Sequence, residues 1–125
     1  MLSATDIAQI RTATREFASW ASTYGSSGLV RDTVMTSLRS SARLLDVRCP
    51  DHLSPELHFA VGDLAQTAGR TALDANAHEQ ARQVFRFALG CAEQAKDWSL
   101  RAGVLDSIAM QEIRTGHPDE GLTLI

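Results

Sequence analysis

The strongest constraint on the fold of this chain is a group of small and aromatic residues on the two sides of a helix break at Asn76-Ala77. Gly69 lies before the break, and Ala81, Phe85 and Ala88 lie after it. Two helices can cross closely only where the residues at the crossing carry little side chain. The spacing therefore predicts a tightly packed pair of antiparallel helices.

A weaker copy of this pattern follows 40 residues later. Its positions are Leu105, Ile108, Ala109, Ile113, Gly116, Gly121 and Ile125, which correspond in order to Ala65, Ala68, Gly69, Leu73, Asn76, Ala81 and Phe85. The intervals of the first copy resemble those of tetratricopeptide repeats, in which each helix pair stacks on its neighbours. The resemblance implies an interaction module rather than a catalyst.

The composition favours helices over strands. The chain has 125 residues, of which 44% are hydrophobic and 6% aromatic, and only three are proline. A chain of this length buries one core, and no run of residues has the pattern of a β-strand. We therefore expect one all-α domain of antiparallel helix hairpins, stacked as a tetratricopeptide-like α-solenoid of five to six helices.

Helical periodicity divides this domain into three units. We expect an N-terminal hairpin at residues 1–47, the best repeat hairpin at 55–96, and a truncated second repeat at 98–125. The first helix, at 5–24, has an apolar stripe of Ile7, Ile10, Phe17, Trp20 or Ala21, and Tyr24. The second, which runs to about Val47, has Leu29, Val30, Val34, Leu38, Ala42 and Leu45.

The helix ends carry their own signals. Ser3 or Thr5, Ser54 and Asp97 each precede a helix as a candidate N-cap, and Asn76 tolerates the left-handed conformation that ends one. The remaining helices are expected at about 55–75, 78–95 and from 98 to Gly116. A short sixth helix is expected from Pro118 to Ile125. Because its apolar end has no cover, we expect a fragment or half of an assembly.

The charge distribution argues against nucleic-acid binding by this chain alone. The net charge is -3 and the isoelectric point is about 5.7. Residues 1–50 carry six arginines against four acids, whereas residues 51–125 carry six basic residues against eleven acids. The pairs Arg11 with Arg15, and Arg39 with Arg43, form two mildly basic helix faces, for which a solvated surface is the simpler interpretation.

No motif for catalysis, a metal or a cofactor is present in the sequence. The histidines at 52, 58, 78 and 117 lack ligand spacing, and we interpret His78 and His117 as polar loop residues. Cys49 and Cys91 lack CxxC spacing, and we expect an exposed loop thiol and a core residue, respectively. The chain begins without a secretory signal or apolar span, so we expect a cytoplasmic protein that does not enter membranes.

The repeat register also predicts where a ligand would bind. In a superhelix of hairpins, the first helix of each pair lines the concave side. This places Asp63, Gln66, Arg70 and Asp74 on one line and Asp106, Met110, Ile113 and Arg114 on the next. Such groups suit a peptide or a small polar signal, and an arginine can bind a carboxylate through two hydrogen bonds. The alternative is that these charges are solvated or paired across neighbouring helices.

Several segments resemble the region that follows the DNA-binding part of actinobacterial XRE-type helix-turn-helix regulators. The segments are Asp6 to Phe17, Ser41 to Leu45, and Gly62 to Gly69, followed by Leu73-Asp74, Ala81-Arg82, Phe85, Ala88-Leu89, Ala95 and Asp97. Arginine outnumbers lysine eleven to one, as in high-GC genomes. The family's helix-turn-helix is absent from this chain, so DNA would be reached only through a part that lies elsewhere.

The resemblance implies a domain that senses a small molecule or a peptide, forms an oligomer such as a homodimer, and passes its state to a DNA reader. The alternative is a constitutive protein-protein interaction scaffold with no small ligand, whose groove is filled by side chains. An enzyme would need a pocket of titratable groups with shifted pKa values, which the sequence does not indicate.

Overall fold

The computed structural model of the protein describes residues 2–26 and 28–116. This part of the chain is all-α and contains no strand, as the sequence predicts. Its elements are α1 (Ala4–Tyr24), α2 (Leu29–Ala42), a 3-10 helix (Arg43–Asp46), α3 (Ser54–Asp74), α4 (His78–Ala95) and α5 (Trp98–Arg114). The expected sixth helix, from Pro118 to Ile125, lies outside the described residues.

Helix α1 runs parallel to α3. Arg11, in the first half of α1, lies over the ring of Phe59 near the start of α3. Ser22, near the end of α1, lies beside Thr71 near the end of α3. Helix α2 returns the chain to the start of α3, and α1 makes its larger contact with α3 rather than with α2.

Helices α4 and α5 continue the reversal of chain direction from each helix to the next. Phe85 of α4 packs against Gly69, and Cys91 packs against Gly62, so α4 runs antiparallel to α3. Leu100 at the start of α5 also reaches Gly62, and Arg114 at its end reaches Asp74, so α5 runs parallel to α3. Three parallel helices, α1, α3 and α5, therefore lie side by side, with α2 and α4 behind them.

Helices α3 and α4 make the most extensive helix–helix contact in the described chain. A Cβ atom added at Gly69 would lie 2.5 Å from Cδ1 and 2.9 Å from Cζ of Phe85, whose side chain is completely buried. A Cβ atom added at Gly62 would lie 2.8 Å from Cβ of Cys91. Both glycines therefore let the two backbones approach to distances that any side chain would prevent.

The core extends from this crossing to the other helices. Its fully buried large side chains are Leu57, Val61, Leu64, Phe85, Val34 and Val104. Alanines of α3 and α4 fill the space between them, because small residues allow close helix contact without cavities. Burial of the Cys91 thiol in this core raises its pKa to about 11, so the residue is a neutral packing group as expected.

Left-handed residues separate the last three helices at a constant interval. Asn76, Lys96 and Gly116 have φ values of 61°, 54° and 87°, and they lie twenty residues apart. At the first turn, the Ala77 amide donates to the Ala72 carbonyl at 2.8 Å and the Asn76 amide donates to the Leu73 carbonyl at 3.0 Å, as in a Schellman motif. The backbone therefore agrees with the predicted correspondence of Asn76 with Gly116, since both residues follow a helix and have a positive φ.

The cap predictions have mixed outcomes. Ser3 caps α1 with a reciprocal bond to Asp6, and the Asp97 carboxylate caps α5 by accepting from the Leu100 amide at 2.9 Å, as predicted. The prediction for Ser54 is wrong. A turn at Pro50 to Ser54 already holds the backbone in helical form, so Leu53 is the N-cap and Ser54 is the first helical residue.

Several predicted stripe residues are not buried. Tyr24 and Leu29 are each 75% exposed, and Trp20 is also exposed. In α1 the buried stripe is Ile7, Ile10 and Thr14, whose hydroxyl donates to the Ile10 carbonyl, and the two aromatic residues lie to one side of it. Leu29 comes one residue before Val30, the first buried residue of α2, so its side chain lies about 100° away around the helix axis.

Three smaller predictions also need correction. The α-helical part of the second helix ends at Ala42, and the chain continues to Asp46 as a 3-10 helix. Ile113 is 41% exposed, whereas its repeat counterpart Leu73 is buried. Cys49 is half-buried rather than exposed.

His78 is the first residue of α4 and not a loop residue. Its carbonyl accepts a hydrogen bond from Gln111 Nε2 at 2.8 Å, which ties the start of α4 to the end of α5. Arg82 Nε reaches Glu112 Oε1 at 3.3 Å across the same pair of helices. This polar contact closes the hairpin at the end opposite Asp97.

Gly69→Ala is expected to destabilise the protein by about 1–3 kcal/mol, because the added methyl group overlaps the buried ring of Phe85. Gly90→Ala is the matched control. It adds the same methyl group to the interior of α4, where no atom lies within 4 Å, and should stabilise the helix by about 0.5–1 kcal/mol. Urea unfolding of both variants measures the two changes. Equal effects would contradict the proposed role of Gly69.

Candidate functional site

The exposed face of α3 forms a groove between α1 and α5. Two cavities make up this groove, and they share Arg70 and Asp74. The α1-side cavity, of about 250 Å³, is lined by Ala18, Ala21, Ser22, Ser26, Thr67, Arg70, Thr71 and Asp74. The α5-side cavity, of about 230 Å³, is lined by Arg70, Leu73, Asp74, Asp106, Ser107, Met110 and Arg114.

Five of the seven predicted ligand residues meet in the α5-side cavity. They are Arg70, Asp74, Asp106, Met110 and Arg114. The parallel arrangement of α3 and α5 brings them together, because residues 40 apart lie at equal heights on the two helices. Ile113 is not among the residues that line either cavity.

The other two predicted residues lie nearer the start of α3. Gln66 is buried between α3 and α5, where its amide lies beside Gly103. Asp63 lies one turn further toward Ser54, close to Arg11 and Asp97. Neither side chain lines the two cavities, so these two predicted residues lie outside the groove.

The charged groups of the cavity are only partly paired. Arg114 Nη1 lies 3.8 Å from Asp74 Oδ1, and both side chains are about half exposed, so this ion pair is weak. Asp74 and Arg114 therefore agree with the alternative interpretation of the predicted ligand residues, in which their charges pair across neighbouring helices. Arg70 makes no ion pair or hydrogen bond with any described residue, and neither does Asp106.

Gln66 has an unusual environment for an amide. Its side chain is only 8% exposed, and it makes no hydrogen bond within residues 2–26 and 28–116. A Cβ atom added at Gly103 would lie 3.0 Å from Gln66 Nε2, so α5 leaves room for this amide by having a glycine there. The fully enclosed polar atoms that lack a partner in the described chain are instead His78 Nδ1 and Gln111 Oε1, so the polar atoms of Gln66 still reach solvent.

Asp63 is a partly buried carboxylate without a direct partner. Burial raises its pKa above the usual value of 3.8, while the positive charges of Arg11 and Arg70 act in the opposite direction and that of Asp97 adds to the rise. It makes no ion pair or hydrogen bond with a described residue. Ionisation of Asp63 therefore carries a free-energy cost in the folded protein.

Arg11 is a site residue that the sequence analysis assigned to a solvated face. Its guanidinium lies 5.5 Å from the centre of the Phe59 ring, a cation–π distance. With Glu56 and Asp97 it lines a cavity of about 230 Å³ at the start of α3. The spacing of residues in the sequence could not identify Arg11 as a site residue. Its place beside α3 depends on how the whole segment between α1 and α3 positions the two helices.

The described chain contains no group of three or more His, Cys, Asp or Glu residues close enough to hold a metal ion. None of its helices combines the length and apolar character needed to cross a membrane. Comparisons of the chain with known protein families, with characterised proteins and with solved structures returned no significant match.

The environment of Asp63 predicts a pH-dependent effect of Asp63→Asn. Because the folded-state pKa is raised, ionisation of Asp63 destabilises the fold above that pKa, and this penalty vanishes below the unfolded value of 3.8. The variant should therefore melt about 1–3 °C higher than the natural chain at pH 7, with a smaller gain as the pH falls toward 4.

Thermal unfolding monitored by circular dichroism between pH 4 and pH 7 measures this difference. Asp106→Asn is the control, because it removes an exposed carboxylate from the same groove and should show no such gain. A lower melting temperature for Asp63→Asn at pH 7 would mean that the carboxylate is stabilising and would contradict this account.

Proposed function

We propose that this chain is the ligand- or peptide-sensing domain of a bacterial transcriptional regulator, of tetratricopeptide-like type, and that it reaches DNA only through another part of the protein. The ligand binds in the groove over α3. The observation that carries the proposal is the pair of open cavities beside Arg70, whose exposed side chain makes no ion pair or hydrogen bond with a described residue. Asp63 precedes Arg70 by two turns on the same side of α3.

Neither Arg70 nor Asp63 has a direct partner that would explain it as a structural residue. Asp63 is partly buried and makes no ion pair or hydrogen bond with a described residue. The open cavities beside Arg70 also support a ligand-binding groove over the scaffold alternative, which predicts a groove filled by side chains.

The arrangement suits a mechanism of population shift. A ligand that contacts Arg70 touches a side chain that, like Asp74, lines both cavities, between α1 on one side and α5 on the other. Its binding would favour one relative position of these helices over others, by the difference in affinity between them. The hairpin of α1 and α2 would carry that change to a dimer partner or a DNA-binding part.

The regulatory setting rests on the resemblance of the N-terminal and central segments to XRE-type regulators. The parallel helices α1, α3 and α5 support the solenoid part of the proposal, since the first helices of stacked hairpins line one surface. The interval of 40 residues is longer than the 34 residues of a tetratricopeptide repeat. We therefore describe the repeat as tetratricopeptide-like.

Arg70→Ala is expected to abolish ligand binding while leaving the fold intact, because the side chain is exposed and has no partner in the described chain. The purified protein is incubated with a bacterial extract freed of macromolecules and then examined by native mass spectrometry. The natural chain should retain an adduct of a few hundred daltons that is lost on denaturation, and Arg70→Ala should not.

Arg86→Ala is the control, since it removes an exposed arginine of α4 that lines neither groove cavity. It should retain the adduct at the natural level. The same spectra give the oligomeric state, which we expect to be a dimer. An adduct that survives Arg70→Ala, or no adduct on the natural chain, would contradict ligand sensing in this groove.

A further inference from the structure

The α1-side cavity, of about 250 Å³, is lined by small and polar side chains. Ala18 and Ala21 of α1 leave the space open, and every other lining side chain carries a hydroxyl group or a charge. These are Ser22, Ser26, Thr67, Arg70, Thr71 and Asp74. The volume lies below the range of about 300–1,000 Å³ that is typical of pockets for drug-sized ligands. A ligand of this cavity is therefore small and polar.

Three of the hydroxyl groups in this cavity are available to a ligand. Helical serine and threonine side chains often donate to the carbonyl group four residues earlier, as Thr71 and Thr14 do in this chain. The hydroxyl groups of Ser22, Ser26 and Thr67, in contrast, make no hydrogen bond with a described residue. Each can therefore donate to a ligand without losing a hydrogen bond within the described chain.

The available donors lie on both walls of the cavity. Ser22 lies on α1, and Ser26 follows in the connection to α2. Thr67 and Arg70 lie on α3, which forms the other wall. A carboxylate has two oxygen atoms in one plane, whereas a phosphoryl group has three acceptor oxygens around a tetrahedral centre. A phosphoryl group can therefore accept hydrogen bonds from both walls at once, two of them in parallel from the guanidinium group.

The charges of the cavity favour an anion at Arg70 and a neutral donor beside it. The carboxylate of Asp74 also lines the cavity, but Arg114 lies 3.8 Å from it and offsets its negative charge. The guanidinium of Arg70 has no such partner in the described chain. An ionised Asp74 only accepts hydrogen bonds, so the part of the ligand next to it must donate. A hydroxyl group meets this requirement, and a second anionic group does not.

We infer that the α1-side cavity binds a small phosphorylated sugar or polyol, with its phosphoryl group at Arg70 and a hydroxyl group facing Asp74. This inference rests on the proposed function and specifies its ligand class. The available hydroxyl groups of the cavity, those of Ser22, Ser26 and Thr67, donate to the phosphoryl oxygens. Because these donors lie on both walls, the bound ligand holds the end of α1 against α3 and so favours one position of the N-terminal hairpin.

Isothermal titration calorimetry of the full chain with matched compounds tests this inference. The phosphate esters are glycerol-3-phosphate, ribose-5-phosphate and glucose-6-phosphate. The comparison compounds are the parent glycerol, ribose and glucose, together with glucuronate, which carries a carboxylate in place of the phosphorylated carbon of glucose-6-phosphate. The best phosphate ester should bind about tenfold or more tighter than its parent and than glucuronate, which corresponds to about 1.4 kcal/mol.

Variants that each remove one donor test the assigned site. Thr67→Val keeps the shape of the side chain and Ser22→Ala removes only an oxygen atom, and each should weaken binding of the best ester about tenfold. Arg70→Gln should weaken it further. The removed hydroxyl groups have no partner in the described chain, so these variants should fold as the natural chain does. Thr36→Val and Ser40→Ala are the matched controls on the exposed face of α2, outside both groove cavities, and should bind normally.

The outcomes separate this inference from the proposed function. Failure of all three esters to bind, or binding no tighter than that of their parents, would overturn the inference. Binding that Thr67→Val and Ser22→Ala both leave unchanged would overturn the assigned site. If no ester binds but the extract yields an Arg70-dependent adduct, the groove senses another ligand and only this inference fails. If the natural chain binds no ester and retains no adduct, the proposed function fails as well.

Discussion

The close approach of α3 and α4 is the interaction on which the rest of the structure depends. Gly69 accepts the buried ring of Phe85, and Gly62 allows Cys91 and Leu100 to meet above the same helix. Because these contacts fix α4 and the start of α5 on α3, they determine which residues of α4 and α5 lie beside which residues of α3. A groove between α1 and α5 exists only because α3 is held from behind at this short distance.

Helix α3 serves two purposes with its two faces. One face has twelve buried residues, including the alanines and glycines of the crossing, and makes the core. The other carries Asp63 and Arg70, which make no ion pair or hydrogen bond with a described residue. Unused polar groups on the best-packed helix of a domain indicate a rigid support for binding, since a site on a fixed helix loses little entropy when it is occupied.

The sequence predicted the repeat hairpin well because its signals are local. Asn76 and Asp97 mark helix ends by their own conformational preferences, and the small residues near Phe85 mark a crossing by spacing alone. Burial on α1 and α2 was harder to predict. Trp20 and Leu29 are apolar and were therefore expected in the core, but the packing of each helix against its neighbours decides which side faces inward, and both residues are exposed. Arg11 joined the site for the same reason, through the position of α1 on α3.

The turns at Asn76, Lys96 and Gly116 divide this half of the chain into equal units of twenty residues. Each unit reverses the direction of the chain, so the gain or loss of one unit would invert every helix beyond it and exchange the groove side for the back. Two units restore the original direction. In evolution, a solenoid built this way can grow or shrink without losing its binding surface only in steps of about forty residues.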